Sequence, residues 1–186
     1  FRKVFSKFIK KSKYIFTASD EMLNSYSKEF NVNGSCIKAS IDNDFIEINK
    51  NVNQENEMVV SYFGNLSLDR WKSLLDIGRA LKKIDLHINI YSGTVLDKKI
   101  EKQFNHENGI KFHGRINSID VAKKIAESTI LIHVESLGKK YYSRVKYSLS
   151  TKIAESLASG KCLFAYGPKG VASINYLIKN KAACVV

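Results

Sequence analysis

Hydrophobic positions along the chain form two alternating kinds of segment. Short continuous apolar runs predict buried strands, and apolar residues at helical spacing over longer stretches predict amphipathic helices. The predicted strands from residue 57 onward are 57–63, 86–91, 110–113, 129–134, 161–166 and 182–186. The predicted helices between them are 67–83, 95–104, 118–127, about 150–159, and 171–179. Strands that alternate with helices in this way predict an α/β fold with a doubly wound parallel sheet, covered by helices on both faces.

The first forty residues predict a smaller α/β unit. A helix over 1–12, a strand over 14–18, a helix that Ser19 caps and a strand over 35–40 follow one another. Residues 41–56 are rich in Asn and lack periodicity, so we interpret them as a linker. The predicted organisation is therefore the end of one domain over 1–40, a linker over 41–56 and a second domain over 57–186. The chain begins at Phe1 and ends on an apolar run, so we expect it to be part of a longer protein, truncated at the C-terminus of the second domain.

The helix before Gly160 contains the strongest candidate chemistry. Ser148 or Ser150 is a plausible N-cap, and Gly160 fits the position that closes the helix. Ser150, Thr151 and Lys152 at its start suit an anion such as phosphate. Glu155, one turn further on, could accept hydrogen bonds from the hydroxyls of a sugar. The alternative is an ordinary capped amphipathic helix with an exposed Glu.

The ends of other predicted strands suggest a ligand site, because ligands of doubly wound sheets bind beyond the carboxyl ends of the strands. Gly64 and Asn65 follow the first strand of the second domain, and Gly114 and Arg115 follow the third. His133 lies in an apolar run, where a histidine is more often a core residue than a catalyst. The sequence shows no dinucleotide fingerprint, P-loop, catalytic triad, paired carboxylates or metal-binding cluster, so no metal or cofactor is expected.

The net charge of +12 implies an anionic partner, which could be nucleic acid, a membrane surface or a phosphorylated small molecule. Basic residues crowd 2–13 and 139–152, although either run could be a solvated face. The three cysteines lie far apart in apolar runs and are interpreted as small buried residues of a reducing cytosol. No apolar run approaches the roughly 20 residues of a membrane span.

Four motifs together resemble the nucleotide-sugar-binding C-terminal domain of GT-B glycosyltransferases, with most similarity to family 4 bacterial polysaccharide-assembly enzymes. They are Tyr62–Leu66, Ile90–Gly93, Ile110–Arg115 and, as the most specific, Ser150–Lys161. The resemblance covers about residues 57–186. Residues 1–40 resemble the end of the N-terminal, acceptor-side domain of such enzymes.

The resemblance implies a role for each candidate residue. Gly64 and Asn65 would face the phosphates of the donor, and Arg70 would stand in place of a pyrophosphate-binding lysine. Gly114 and Arg115 would flank the base. Three residues at the helix start would meet the diphosphate, and Glu155 would bind the ribose hydroxyls; the three are Ser150, Thr151 and Lys152. Three features differ from the family pattern: Asn65 stands in place of arginine, Tyr147 stands in place of the first of two glutamates, and the loop expected over 136–148 is longer and more basic than usual.

The expected function is a cytoplasmic glycosyltransferase that transfers a sugar from a nucleotide-diphosphate sugar to a polysaccharide or lipid-linked acceptor, with retention. The alternatives are a non-catalytic nucleotide-binding module of the same fold and a basic nucleic-acid-binding domain, which the alternation of strands and helices disfavours. The basic helix at the start, with Val4, Phe5, Phe8 and Ile9 on one face, could dock on anionic lipid at the inner membrane face. It could equally pack into the rest of the first domain.

Overall fold

The computed structural model describes residues 2–41, 45, 47, 57–106 and 109–186. The N-terminal unit contains α1 (Arg2–Ile9), β1 (Tyr14–Thr17), α2 (Asp20–Phe30) and β2 (Asn33–Cys36). β1 and β2 pair in parallel as a two-stranded sheet, with α2 as the crossover. Ser19 caps α2 as expected, since its hydroxyl accepts a hydrogen bond from the amide of Met22. Most of the predicted linker over 41–56 lies outside the described residues, so the domain boundary there stays a prediction.

The second unit is built on a sheet of six parallel strands. The strands are β3 (Val60–Phe63), β4 (Ile88–Tyr91), β5 (Ile110–Gly114), β6 (Ile130–Val134), β7 (Cys162–Tyr166) and β8 (Cys184–Val185). Their spatial order is β5-β4-β3-β6-β7-β8, so the chain winds outward from β3 and then returns to build the other half from β6. This order confirms the predicted doubly wound parallel sheet and places its topological switch point between β3 and β6.

Helices cover both faces of this sheet. They are α3 (Arg70–Lys82), α4 (Lys98–His106), α5 (Ser118–Glu127), α6 (Lys139–Val145), α7 (Lys152–Ala158) and α8 (Ala172–Lys179). On one face, Leu74 of α3 and Phe104 of α4 pack against Ile88 and Ile90. On the other face, Ile174 of α8 packs in a cluster with Leu163 and with residues of α5 to α7. The two hydrophobic clusters explain why apolar residues dominate the central strands β6 and β7.

Several predicted element ends differ from the structure. Helix α3 begins at Arg70 instead of residue 67, because Leu68 and Asp69 adopt left-handed φ angles of 58° and 61°. The N-cap of α5 is Asn117, whose side chain accepts from the amide of Asp120, and not Ser118. The loop expected after β6 contains the short helix α6, which buries Val145.

The prediction for the start of α7 was also wrong. Its N-cap is Thr151, without a hydrogen bond from the side chain, instead of Ser148 or Ser150. Gly160 does close the helix, with a left-handed φ of 67°. The prediction of three buried cysteines is wrong as well, because Cys162 and Cys184 are exposed and Cys36 is partly exposed.

The apolar face predicted for α1 is divided between two environments. Ile9 is buried, and the ring of Phe5 makes edge contacts with the rings of Tyr26 and Phe30. Val4 and Phe8 are instead 59% and 69% exposed. The helix therefore packs on α2 through one part of this face and leaves the other part open.

Two glycines let α3 lie directly on the start of β5. A Cβ atom on Gly109 would overlap the carbonyl oxygen of Gly78, which belongs to the backbone and cannot move aside. We expect Gly109→Ala to lower the free energy of unfolding by about 3 kcal/mol, the upper end of the usual cost of overpacking. Chemical denaturation would measure the loss. Gly93→Ala is the matched control, since its Cβ would meet its nearest neighbour at 3.5 Å; equal stability of the two variants would contradict the close approach.

Candidate functional site

A cleft of about 760 Å³ opens at the carboxyl ends of the strands, beside the switch point. Six of the residues predicted from the sequence line it: Gly64, Asn65, Arg115, Thr151, Lys152 and Glu155. A smaller inner cavity of about 60 Å³ adjoins the cleft and shares four of these residues with it. Arg70 and Ser150 line this inner cavity. Gly114 lines a side pocket that meets the cleft at Arg115.

The side chain of Tyr62 holds the loop between β3 and α3 in place. The Tyr62 hydroxyl donates a 2.7 Å hydrogen bond to the carbonyl oxygen of Asn65. Burial raises the pKa of Tyr62, so this hydroxyl keeps its proton. Two further bonds tie the loop to the end of β4, from the amide of Gly64 to Tyr91 O and from the amide of Leu66 to Thr94 Oγ1. The loop is thereby held against the sheet at the point where a ligand would approach.

A buried ion pair closes the floor of the inner cavity. A terminal nitrogen of Arg70 lies 2.8 Å from Glu135 Oε2, and the Glu135 side chain is only 2% exposed. The other terminal nitrogen of Arg70 donates a 3.0 Å hydrogen bond to Asn65 Oδ1. The main chain of Glu135 is fixed as well, because its amide donates to Tyr166 O and its carbonyl accepts from the Ser73 hydroxyl. The pair therefore joins the end of β6 to the start of α3.

His133 lies on the other side of Glu135. Its Nε2 is 3.5 Å from Glu135 Oε1. Burial would raise the pKa of Glu135, but His133 and Arg70 outweigh burial and hold this pKa below its usual range. Glu135 is thus a carboxylate with a cation on one side and an imidazole on the other.

The start of α7 supplies the opposite wall of the cleft. Lys152 and Glu155 line both the cleft and the inner cavity. Burial raises the pKa of Glu155, and the nearby Lys152 offsets part of this rise. The amides of Ile153 and Ala154 already donate to the carbonyls of Ser150 and Thr151. An anion here would therefore meet the hydroxyls and the ammonium group more readily than these two amides.

The end of β5 forms the remaining side of the cleft. Gly114 adopts a left-handed φ of 72°, and its carbonyl accepts from the amide of Ser92. Next to it, the rings of Phe63, Tyr91 and His113 stack in a row, with centroids 4.9 Å and 4.7 Å apart. Phe63 and Tyr91 also line the cleft. This side of the cleft thus combines flat aromatic surface with the exposed side chain of Arg115.

Sequence reasoning did not assign a role to Glu135 and treated His133 as a core residue. The signal available was their position, since two polar side chains end an otherwise apolar strand at the predicted ligand edge. Asn65 and Arg70, both predicted to face a ligand, line the inner cavity and are hydrogen-bonded to each other. Within the described residues, no cluster of three potential metal ligands occurs, and no helix has the length and hydropathy needed to cross a membrane.

Solved structures share this fold, and two of them are glycosyltransferases. The first is WaaG, a glycosyltransferase involved in lipopolysaccharide biosynthesis, with a TM-score of 0.61 and 12% identity over 92% of this chain and 48% of that one. The second is AviGT4, a glycosyltransferase involved in avilamycin A biosynthesis, with a TM-score of 0.62 and 9% identity over 88% of this chain and 46% of that one. No family model and no curated protein matches the sequence. The chain therefore has a glycosyltransferase-like fold and spans about half the length of these neighbours.

The buried ion pair yields a stability prediction. Arg70→Met should lower the free energy of unfolding by about 3–5 kcal/mol, because it leaves the Glu135 carboxylate buried without its cation. Lys72→Met is the matched control. Lys72 pairs with Asp69 at a similar distance of 2.9 Å, but its side chain is 58% exposed, so the loss should stay below about 1 kcal/mol. Denaturant unfolding of both variants would check the prediction, and similar losses would argue against a special role for the buried pair.

Proposed function

We propose that this chain is the donor-binding part of a GT-B glycosyltransferase similar to family 4. The complete enzyme would transfer a sugar, with retention of the anomeric configuration, from a nucleotide-diphosphate sugar to a polysaccharide or lipid-linked acceptor in the cytoplasm. The observation that carries the proposal is the cleft at the switch point. It brings together residues from the ends of β3 and β5 and the start of α7, all of which were predicted to hold such a donor.

The cations around the cleft support binding of a diphosphate. Arg70 lies at the floor of the inner cavity, Lys152 lines both spaces, and Gly64 lets a ligand approach the backbone between them. Because sugar transfer leaves the nucleoside diphosphate with additional negative charge, fixed cations here would stabilise the leaving group. No metal is required for this stabilisation in the proposed scheme.

The remaining walls suit the nucleoside. Glu155 has carboxylate oxygens that can accept hydrogen bonds from both ribose hydroxyls, and it lies one turn after the residues proposed to meet the phosphates. Phe63, at the end of the stacked row of rings, offers flat surface near Arg115, where the base would lie. The half-buried position of Glu155 strengthens such hydrogen bonds, because less water competes for them.

Calorimetric titration with a panel of nucleoside diphosphates tests the proposed function. We expect Glu155→Ala to weaken binding of ribonucleotides by about 1–3 kcal/mol, as for the loss of hydrogen bonds to a charged group. The same variant should bind 2′,3′-dideoxyribonucleotides as the unaltered chain does. Glu127→Ala is the control, since Glu127 pairs with Lys124 on the outer side of α5.

Three outcomes of this titration differ in meaning. Binding of nucleoside diphosphates no tighter than that of sulfate would refute the donor site. Tight binding that Glu155→Ala leaves unchanged would refute only the ribose contact. Tight binding without transfer by the full-length protein would favour the non-catalytic module.

We also propose that the N-terminal basic segment contacts anionic lipid, where a lipid-linked acceptor would lie. The exposed side chains of Val4 and Phe8 could enter the headgroup region together with four exposed lysines, Lys7, Lys10, Lys11 and Lys13. Each cation near an anionic surface contributes about 1 kcal/mol. Liposome flotation of the full-length protein should show binding that increases with anionic lipid and falls when the six cations are neutralised: Arg2, Lys3, Lys7, Lys10, Lys11 and Lys13. Flotation that does not depend on the anionic lipid content would contradict this contact.

A further inference from the structure

His133 is a buried titratable side chain that has no role in the proposed donor site. It lies on β6 next to the switch point, and the residue is only 8% exposed. Among the described residues, no atom makes a hydrogen bond with its Nε2. Buried polar atoms without a partner are uncommon and usually have a functional reason. His133 also lines the inner cavity, which shares residues with the proposed diphosphate site.

Three side chains form a row from the sheet to this cavity. His133 Nε2 lies 3.5 Å from one oxygen of Glu135, and the other oxygen lies 2.8 Å from Arg70. The contact between His133 and Glu135 is not aligned as a hydrogen bond, so it becomes strongly attractive only if the imidazole is protonated. Nε2 of His133 is thus an atom without a hydrogen bond that can hold a proton beside the buried carboxylate of Glu135.

The charges around the cavity are balanced while His133 is neutral. The ionisable groups that line it are Tyr62 from β3, Arg70 from α3, Glu135 from β6, and Lys152 and Glu155 from α7. The α5 residue that lines it is Ile125, and the β7 residue opposite His133 is Ala165. A diphosphate at Arg70 and Lys152 would add negative charge close to Glu135. In a space with little water this excess is costly, and it favours proton uptake by a base that lines the cavity.

We propose that His133 takes up one proton from solvent when a nucleotide-diphosphate sugar binds, and that its imidazolium then holds Glu135 while the diphosphate shares Arg70. This role rests on the proposed function of the site. His133 is a positioning residue, because it acts on the donor through Glu135 and Arg70. The proton joins the imidazole ring, and no covalent bond to the donor forms or breaks.

Glu135 is a poorer acceptor for this proton. The Arg70 guanidinium, 2.8 Å from the Glu135 carboxylate, favours the charged form of this carboxylate. Glu155 is a competitor, because burial raises its pKa and it lines the same cavity. The experiment therefore has to observe His133 itself in addition to the number of protons.

Calorimetry of the full chain with UDP-glucose, GDP-mannose and ADP-glucose gives the number of protons. The diphosphate of these probes is esterified at both ends, so its charge is fixed across the pH range. Titrations in buffers of different ionisation enthalpy should show net uptake of up to one proton per ligand bound near neutral pH. Affinity should increase as pH falls, by at most about tenfold per pH unit.

His133→Gln should abolish the proton uptake and flatten the pH dependence of affinity. His87→Gln is the matched control and should retain both, because His87 precedes β4 at the opposite end of the sheet. Binding that is equally linked to protons in His133→Gln would overturn the proposal.

NMR of the unaltered chain keeps the test independent of whether the variant folds. The imidazole resonance of His133 should show a larger protonated fraction at pH 7 after the probe is added. An unchanged His133 resonance would overturn the proposal even if protons are taken up, because Glu155 or another group would then be the acceptor. If none of the three probes binds, the proposed function itself fails, whereas binding without proton uptake overturns only the role of His133.

Discussion

The ion pair between Arg70 and Glu135 connects the two halves of the doubly wound sheet at their only point of topological exchange in the described chain. β3 and β6 are neighbours in the sheet although much of the domain separates them in sequence. The pair connects α3, the helix that follows β3, to Glu135, the residue that follows β6. A buried ion pair is seldom more stabilising than apolar packing, but it tolerates few alternative arrangements. Its main effect here is to define where the edge of the cleft lies.

The other parts of the site depend on this connection. Arg70 also holds the side chain of Asn65, and Tyr62 holds the carbonyl of the same residue. The β3–α3 loop is therefore fixed through a side chain and the backbone, and the Arg70 cation is in place before any ligand arrives. Preorganised charge of this kind lowers the reorganisation needed when a charged group enters or leaves.

The alternation of apolar segments was sufficient to predict the fold, because each strand and each helix of the second unit has its own local pattern. It was also sufficient to select the strand ends that line the cleft. The boundaries of α3 and the start of α7 were missed, since left-handed residues and main-chain turns leave no clear periodic signal. Glu135 was missed for a different reason. Its partner Arg70 lies 65 residues away in sequence, and a local pattern contains no information on such a contact.

The hydroxyl of Ser19 makes one hydrogen bond within the N-terminal unit and one to the second unit. It accepts a hydrogen bond from the amide of Met22 and donates one of 2.6 Å to the carbonyl of Tyr147, shortly before α7. An aspartate could cap α2 equally well but would have no proton for Tyr147. If the two units separated, α2 would keep this cap, and of the two bonds of the Ser19 hydroxyl only the one to Tyr147 would be lost. Relative movement of the units would thus leave this cap intact while it displaced the segment that precedes Lys152.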